Sequence, residues 1–423
     1  MNHSNVNLTE EQLAAVNALT DFLQDPNPPS PYFVFAGYAG TGKTFCMREV
    51  LARVQGSRIN IAFTAPTNKA AKVLKEITGS AGTIYSLLGL RIDKSGELKQ
   101  LVSGKPPEGL EDIDAIFLDE GSMVNRNLKL ELDKAVERYD LKIVFMGDAA
   151  QLPPVGETHS PIWDLPINAS LLKVMRHDNQ ILDLVTAIRQ VINSPAPCID
   201  IKSNHDASGG VWKMSKAAFK QSIYEAAHFG EFADGTDSKI IAWRNVKVGE
   251  YNNLVRAAIF GAEADQNTFL AGDRIVAAAP CERGDVQLMT TDEEAVVESV
   301  LACKHPMEPK YQALELKCTT ENGKAIRLLV LHPNSKTQFE FDCQSLAHQA
   351  AANGRLWKKF WELKDIFHDI RYAYAITAHR SQGSTYKNVW VDYQDILSNR
   401  TRKEAFQCFY VAASRPTTNL YLA

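Results

Sequence analysis

A glycine-rich loop between an apolar run and a helical segment constrains this chain more than any other feature. The loop reads Gly-Tyr-Ala-Gly-Thr-Gly-Lys-Thr over residues 37–44, directly after the apolar residues 33–36. Glycines at these positions let consecutive backbone N–H groups turn toward phosphate oxygens, and the following helix N-terminus adds partial positive charge. We therefore expect a nucleoside triphosphate site. The residues expected to surround the phosphates are Gly37, Gly40, Thr41 and Gly42.

The residues that end this loop have the charge and the ligand that a triphosphate requires. Lys43 can reach the terminal phosphates, and the Thr44 hydroxyl can bind a magnesium ion. Further along the chain, Leu118-Asp119-Glu120 ends an apolar run. Because the carboxyl ends of parallel strands converge at one edge of a sheet, we expect Asp119 to bind magnesium and Glu120 to take a proton from the attacking water.

Two glutamines have functional interpretations beside structural ones. Gln151 lies in a proline-rich loop after the apolar run 143–146, where it can orient water at the γ-phosphate or sense phosphate loss. An ordinary turn is the alternative for this loop. Gln12 ends Thr9-Glu10-Glu11-Gln12, which is a capping box in which the glutamine side chain returns to the backbone of the helix cap.

Alternation of short apolar runs and helical patterns predicts an α/β fold with parallel sheets and crossover helices. The predicted strands of a first α/β unit are residues 32–36, 61–65, 115–118 and 143–146. Those of a second unit are residues 239–243, 373–377, 389–392, 409–412 and 420–422. The second unit is interrupted: residues from about 268 to 342 contain β-type runs that favour a small antiparallel barrel, and residues 343–367 favour helix.

Length and composition exclude several classes of protein. The chain has 423 residues, too many for one ordinary core, so we expect about two to four domains. No apolar run approaches the roughly 20 residues of a membrane-spanning helix, and residues 1–5 lack the pattern of a signal peptide. The seven cysteines include no Cys-x-x-Cys pair and favour neither a disulfide framework nor a zinc site. We expect an intracellular protein without a membrane partner.

The distribution of charge is more informative than the net charge of −4. Basic residues outnumber acidic ones in residues 371–423, whereas residues 282–298 are mostly acidic. A polyanion would therefore bind the C-terminal stretch rather than the protein as a whole.

Six motifs in a fixed order resemble those of superfamily 1 DNA helicases, and within them the RecD-like 5′-to-3′ branch, superfamily 1B. The motifs read GYAGTGKT, APTNKAA, LDEGSM, GDAAQLPPVGE, TAHRSQGST and YVAASRP. The resemblance implies a monomeric motor that uses ATP and Mg²⁺, moves along single-stranded DNA and opens fork or tailed duplex DNA. It also implies a cytoplasmic location in a bacterial or phage-infected cell. Replication or single-strand-binding proteins are candidate partners.

The resemblance also implies a division into domains. Residues 1–165 would form a first RecA-like domain, with an inserted hairpin at residues 87–111. A second RecA-like domain would combine residues 166–250 with residues 371–423. An inserted domain would span residues 251–370, with an SH3-like barrel at about 268–342 and a helical extension at about 343–370.

Further site residues follow from matching motif positions. Arg176 and Arg415 match two arginine fingers that stabilise charge on the transferring phosphoryl group. Gln12 matches a glutamine that reads adenine, so adenine recognition and helix capping both remain open for it. Gly383 lies in the coupling motif next to the nucleotide.

Small hydroxyl and amide groups suit contacts with the sugar–phosphate backbone, which position a strand without reading its sequence. The positions that the resemblance assigns to DNA are Pro66, Asn68, Thr83, Tyr85, Ser86, Asn245, Thr377, His379 and Ser381. His379 has a core position as its alternative, although the polar neighbours Arg380 and Gln382 favour DNA contact.

The polar segment from Leu90 to Leu110 matches the hairpin that splits duplex DNA in this branch. It contains no aromatic residue to stack on a base pair. Two alternatives remain open: Leu98 or Leu101 acts as an apolar wedge, or the hairpin excludes one strand sterically. The aromatic segment 357–367 is interpreted as packing within an extension that braces the hairpin.

Two other functions compete with the motor. One is an ATP-binding nucleic-acid scaffold with a degenerate site, and the other is a P-loop ATPase or small-molecule kinase without helicase activity. The complete set of site residues disfavours the scaffold, and a duplicated α/β half with a second finger disfavours the kinase.

Overall fold

The computed structural model describes residues 8–92, 98–100, 109–173, 180–195, 198–235, 237–284 and 286–423. These residues form two compact units. The first contains residues 1–214, 241–243 and 377–423, and the second contains residues 215–240 and 244–376. Within the described ranges, no helix combines the length and the apolar character that crossing a membrane requires.

The chain alternates helices and strands through most of its length. The helices are α1 (Glu10–Gln24), α2 (Lys43–Val54), α3 (Asn68–Thr78), α4 (Ile84–Leu87), α5 (Arg126–Tyr139), α6 (Gln180–Val191), α7 (Lys216–His228), α8 (Asn245–Phe260), α9 (Glu263–Gln266), α10 (Lys336–Ala352), α11 (Trp357–Lys364), α12 (Tyr393–Leu397) and α13 (Arg402–Ala413). The strands are β1 (Tyr32–Gly37), β2 (Ile61–Ala65), β3 (Gly82–Thr83), β4 (Leu90–Ile92), β5 (Leu98–Gln100), β6 (Ala115–Leu118), β7 (Lys142–Gly147), β8 (Ile167–Leu171), β9 (Asn204–Asp206), β10 (Gly209–Lys213), β11 (Ser238–Ala242), β12 (Arg274–Ala277), β13 (Cys281–Arg283), β14 (Val286–Met289), β15 (Glu294–Lys304), β16 (Gln312–Thr320), β17 (Ala325–Leu331), β18 (Ile370–Tyr372), β19 (Ala375–Thr377), β20 (Tyr386–Val391) and β21 (Pro416–Leu422).

A six-stranded sheet organises the N-terminal part of the first unit. Its order is β3-β2-β6-β7-β1-β8, and every pair is parallel. Neighbouring residues of a strand face opposite sides, so Phe117 packs into one apolar cluster while Ile116 packs into the other. This sheet confirms the predicted α/β fold class and the four strands predicted for the first third of the chain.

A second six-stranded sheet has the order β19-β11-β20-β21-β10-β9. The boundary between the two compact units falls within β11 and β19. Strand β21 pairs in parallel with both β20 and β10.

The strand predicted at residues 409–412 is wrong, because these residues belong to helix α13. Every residue from Ala405 to Ala413 is buried. A helix buried on all sides has no apolar stripe, so its sequence shows no period of 3.6 residues and cannot be distinguished from a buried strand by pattern alone.

The second unit contains a five-stranded sheet of order β17-β16-β15-β12-β18, in which the described pairs are antiparallel. Its core includes Ile275, Val297, Leu316 and Leu328. Helix α10 begins at Lys336, earlier than the helical extension expected from residue 343. Helix α11 buries none of its residues, so this extension is mostly exposed.

A buried ion pair lies within the second unit. The Lys239 ammonium is 1% exposed and donates to Glu294 at 2.9 and 3.2 Å and to the Ala373 carbonyl at 2.7 Å. The Glu294 carboxylate is 2% exposed and also accepts from Arg274 at 3.3 Å. Because water reaches neither charge, removing one partner leaves the other charge poorly compensated.

Replacing this lysine tests the ion pair. Lys239→Met should lower the free energy of unfolding of the second unit by about 3 kcal/mol, because Glu294 keeps its charge but loses its main partner. Hydrogen exchange of the β15 amides measures the effect. Lys317→Met is the matched control, since Lys317 pairs with Glu298 at the surface and should change protection little. Equal effects of the two substitutions would contradict the importance of the buried pair.

Candidate functional site

The glycine-rich loop follows β1 and leads directly into α2. Gly40 and Gly42 have φ angles of 77° and 93°, a left-handed conformation that favours glycine. A Cβ atom at Gly42 would lie 2.6 Å from the side-chain Nε2 of Gln12, and one at Gly37 would lie 2.9 Å from Cγ of Lys43. The left-handed backbone therefore favours glycine at residues 40 and 42, and a side chain at Gly37 would require the Lys43 side chain to shift.

Side chains inside the loop hold its backbone. The Lys43 ammonium donates to the carbonyls of Gly37 at 2.5 Å and Tyr38 at 3.1 Å, and the Thr41 hydroxyl donates to the same Tyr38 carbonyl at 2.8 Å. Lys43 and Thr44 open α2, so both lie at a helix N-terminus where the dipole favours anions. The Arg189 guanidinium packs 3.8 Å from the centre of the Tyr38 ring, a contact that the sequence did not predict.

Gln12 connects α1 to this loop. The capping box is formed in both directions, with Gln12 Oε1 accepting from the backbone of Thr9 at 3.1 Å. In addition, Gln12 Nε2 donates to the Thr41 carbonyl at 3.2 Å. The predicted cap is confirmed, and the amide also supports the phosphate loop. Adenine recognition by Gln12 stays a prediction.

Asp119 and Glu120 follow β6, whose end lies two strands from that of β1 in the sheet order. Glu120 adopts φ 52° and ψ 41°, a left-handed conformation that is uncommon for a residue with a side chain. Its backbone N–H donates to the Asp119 carboxylate at 2.9 Å. The turn thereby directs two acidic side chains to one place.

Burial is the main influence on the pKa of both carboxyl groups. The pKa of Glu120 is raised to about 7, first by burial and then by the Asp119 charge, although Arg415 and Lys43 act to lower it. The pKa of Asp119 is also raised by burial, against the lowering effect of Lys43. A carboxylate with a pKa near neutrality is suited to accept a proton from water.

The loop after β7 positions Gln151, which is 7% exposed. Its backbone carbonyl accepts from Gln407 Nε2 of helix α13 at 2.9 Å. Its side-chain Oε1 is buried and has no hydrogen-bond partner among the described residues. An unpaired buried oxygen is unfavourable unless a ligand or a water completes it, so this position fits a role in orienting water at a phosphate.

Arg415 follows α13 and is buried. Its guanidinium donates to the carbonyls of Val411 at 2.9 Å and Ser384 at 3.1 Å and to the Ser414 hydroxyl at 3.0 Å. Because Arg415 also lowers the pKa of Glu120, its charge acts at the carboxylate end of the site. The other predicted finger, Arg176, lies outside the described residues.

The predicted DNA contacts of the first sheet lie at helix N-termini beyond β2 and β3. Pro66 is buried, whereas Asn68 is exposed at the start of α3. Thr83 caps α4, and its hydroxyl accepts from the backbone of Ser86, which is exposed. Tyr85 is partly buried against the apolar cluster on one face of the sheet, and burial raises its pKa.

Gly383 lies against α3. A Cβ atom here would be 3.0 Å from Cβ of Ala70, and φ is 71°, so both the close approach and the conformation favour glycine. A contact between Gly383 and nucleotide stays a prediction.

The segment around His379 is only partly accessible. Thr377 and His379 are partly buried, and Ser381 is fully buried with its hydroxyl donating to the Ala378 carbonyl at 2.7 Å. Burial lowers the pKa of His379, whose Nε2 lies 3.7 Å from Glu404. Ser381 therefore uses its side chain to hold the turn, while His379 keeps accessible surface.

Three further predicted DNA contacts are Asn245, Leu98 and Leu101. Asn245 is exposed at the start of α8 in the second unit. Leu98 is partly buried in β5, which pairs antiparallel with β4, and packs against the first sheet's apolar cluster. That packing leaves less of its apolar surface for a DNA wedge. Leu101 lies outside the described residues.

Sequence reasoning did not assign a role to Asp148, Tyr410 or Gln407, although all three lie close to the phosphate loop or the Gln151 loop in the structure. Asp148 and Tyr410 occur within two of the quoted motifs, which was the signal available. Nothing in the sequence showed that the two residues meet.

Comparisons with known proteins cover nearly the whole chain. A family model for an AAA domain matches residues 7–196, and one for the UvrD-like helicase C-terminal domain matches residues 372–423. The chain is 25% identical to an uncharacterized protein of Acanthamoeba polyphaga mimivirus, over 97% of this chain and 98% of the relative. It is 21% identical to the ATP-dependent DNA helicase dda of Enterobacteria phage T4, over 96% of this chain and 97% of the relative.

Solved structures share the fold. A crystal structure of Pif1 helicase from Bacteroides with ADP-AlF3 and single-stranded DNA has a TM-score of 0.52 and 16% identity, and the match covers 99% of this chain and 92% of that one. A structure of Pif1 helicases on forked double-stranded DNA has a TM-score of 0.53, with the same identity and coverage.

The site predicts a specific defect when the candidate base is replaced. Glu120→Gln should lower the hydrolysis rate about 10²-fold or more and retain ATP binding, because the amide keeps the shape of the side chain but cannot accept the proton of water. Steady-state phosphate release and equilibrium nucleotide binding measure the two quantities. Glu131→Gln on α5, whose partner is the exposed Lys134, is the control and should behave as wild type. Normal turnover by Glu120→Gln would show that Glu120 is not the base that accepts the proton of water.

Proposed function

We propose that this chain is a DNA helicase of superfamily 1B, which uses ATP hydrolysis to move 5′ to 3′ along single-stranded DNA and to separate the duplex ahead of it. The unwinding activity rests on its relatives and on its complete set of motifs. The direction of movement is inferred from the resemblance to the 5′-to-3′ branch.

One observation carries this proposal. The ends of β1, β6 and β7 bring the phosphate loop, the Asp119–Glu120 turn and the Gln151 loop to one edge of the first sheet, and α13 packs its side chains on two of these three loops. A P-loop kinase needs the first three features but has no need for a helix from a second α/β half at the same place.

The residues at this edge fit ATP and a magnesium ion. Lys43 and the backbone of the glycine loop would hold the phosphates, and Thr44 and Asp119 would hold Mg²⁺, which supplies positive charge to the phosphoryl oxygens. Glu120 accepts a proton from water, and the unpaired oxygen of Gln151 orients that water. Arg176 and Arg415 contribute positive charge toward the phosphoryl group.

The DNA track would run across the exposed ends of α3 and α4 and the segment around His379. Asn68, Ser86 and His379 keep accessible polar groups there, which suits contacts with phosphates and sugars. The basic surplus of residues 371–423 adds electrostatic attraction that does not depend on base sequence. Asn245, which is exposed in the second unit, stays a predicted DNA contact.

We further propose that the RecA-like division expected from the sequence describes the working domains, with residues 251–370 as an insertion. The motor would act as a monomer, since its two α/β halves already supply both sides of the nucleotide site. Replication or single-strand-binding proteins remain candidate partners.

Displacement of tailed duplexes tests this function. Wild-type protein should release the strand from a duplex with a 5′ single-stranded tail and should fail on one with a 3′ tail, because a motor needs a track that leads toward the duplex. Lys43→Ala is the negative control and should bind DNA without displacing it, since the terminal phosphate loses its mobile cation.

The outcomes distinguish the alternatives. Release from the 3′-tailed duplex alone would show that the protein moves 3′ to 5′ and not 5′ to 3′. DNA binding without DNA-stimulated phosphate release would favour the scaffold, and phosphate release that DNA does not stimulate would favour the kinase or another P-loop ATPase.

Arg415 provides a second test. Arg415→Ala should lower the catalytic rate by on the order of 10³-fold and change ATP affinity far less, because an arginine finger acts mainly on charge that develops in the transition state. Arg415→Lys should recover only part of the rate, since an ammonium cannot replace the guanidinium fork. Arg400→Ala, at an exposed position, is the control. An unchanged rate with weakened ATP binding would show that Arg415 helps to bind ATP and does not stabilise the transition state.

A further inference from the structure

A hydrogen-bonded group connects helix α13 to the phosphate loop. The Tyr410 hydroxyl donates to Oδ2 of Asp148 at 2.5 Å and accepts from the backbone N–H of Ala39 at 3.3 Å. That N–H also lies 3.2 Å from the same Asp148 oxygen, and Oδ1 of Asp148 accepts from the backbone of Ala150 at 2.9 Å. Three segments distant in sequence therefore meet at one phenol and one carboxylate.

Both side chains are out of contact with water. Tyr410 is 0% exposed and Asp148 is 1% exposed. A buried carboxylate is unfavourable unless hydrogen bonds satisfy it, and here two backbone N–H groups and one hydroxyl do so. Burial and the neighbouring Asp148 charge raise the pKa of Tyr410, so the phenol keeps its proton and its role as donor.

The same face of α13 also holds the Gln151 loop. Gln407 lies one helical turn before Tyr410, on the same side of the helix, and its Nε2 donates to the Gln151 carbonyl at 2.9 Å. Arg415 lies two residues beyond the end of the helix at Ala413. A single rigid helix thus contacts the phosphate loop and the Gln151 loop and leads into the finger.

We propose that Tyr410 and Asp148 are positioning residues for ATP hydrolysis, which hold the phosphate loop and α13 together in the arrangement where Arg415 acts on the phosphoryl group. The inference rests on the proposed function. Both side chains accept from the backbone N–H of Ala39, and neither is among the residues proposed to hold the phosphates. The pair therefore acts on the rate of hydrolysis and not on the binding of nucleotide.

Tyr410→Phe removes the hydroxyl and keeps the shape of the ring. The maximal rate of DNA-stimulated ATP hydrolysis should fall about 10- to 100-fold, the range expected for one hydrogen bond to a charged group. ADP affinity should stay within about twofold, because Lys43 and the loop backbone are unchanged. Asp148→Asn should give a similar loss. The double variant should lose little more than either single variant, because the two groups act as one unit.

Tyr32→Phe is the matched control. The Tyr32 hydroxyl also donates to a carboxylate, that of Asp133, but at the opposite end of β1 from the phosphate loop. This variant should keep the wild-type rate, and its thermal midpoint gives the effect of losing a comparable hydrogen bond away from the site.

Three results would overturn the inference. An unchanged rate for Tyr410→Phe in an active protein would show that the hydroxyl is not needed. A loss of ADP affinity as large as the loss of rate, or strictly additive effects in the double variant, would show that the pair only supports the local fold. A wild-type protein without DNA-stimulated hydrolysis would instead refute the proposed function, and the inference with it.

Discussion

Parallel pairing in the first sheet is the constraint on which the site depends. Because β1 lies between β7 and β8, and β7 pairs with β6, the loops that follow β1, β6 and β7 emerge at one edge within a few strand spacings. The loop after β1 contributes backbone N–H groups and a lysine, the loop after β6 contributes two carboxyl groups, and the loop after β7 contributes a glutamine. An antiparallel arrangement would place alternate loops at opposite edges and separate these groups.

Charge is concentrated at this edge. Glu120 has a pKa near 7 because burial and Asp119 oppose its ionisation more than Lys43 and Arg415 favour it. The left-handed backbone of Glu120 belongs to the turn that keeps its carboxyl group close enough to Asp119 for the two charges to interact. Strained backbone and perturbed carboxyl groups are found together at functional sites, because fixed geometry is needed there more than local stability.

Helix α13 connects hydrolysis to the second α/β half. It is buried from Ala405 to Ala413, so its position is fixed by packing on every side. Its polar side chains contact loops of the first sheet, and it leads to Arg415. A movement of the loops around the phosphates would therefore move the whole helix as a rigid body, because closely packed interiors shift as units and do not deform gradually.

The sequence by itself determined the phosphate loop, four of the six strands of the first sheet, the helix cap at Gln12 and the order of the six motifs. These are local features, set by glycine conformation, apolar pattern and capping chemistry within short segments. Tertiary structure alone decided that residues 409–412 are helical, because apolar residues in a segment buried on all sides do not repeat with the helical period of 3.6 residues. It also decided that Gln12 supports the phosphate loop and that Tyr410 meets Asp148 and Ala39, because contacts between distant segments depend on how the sheets and helices pack and leave no pattern in either segment.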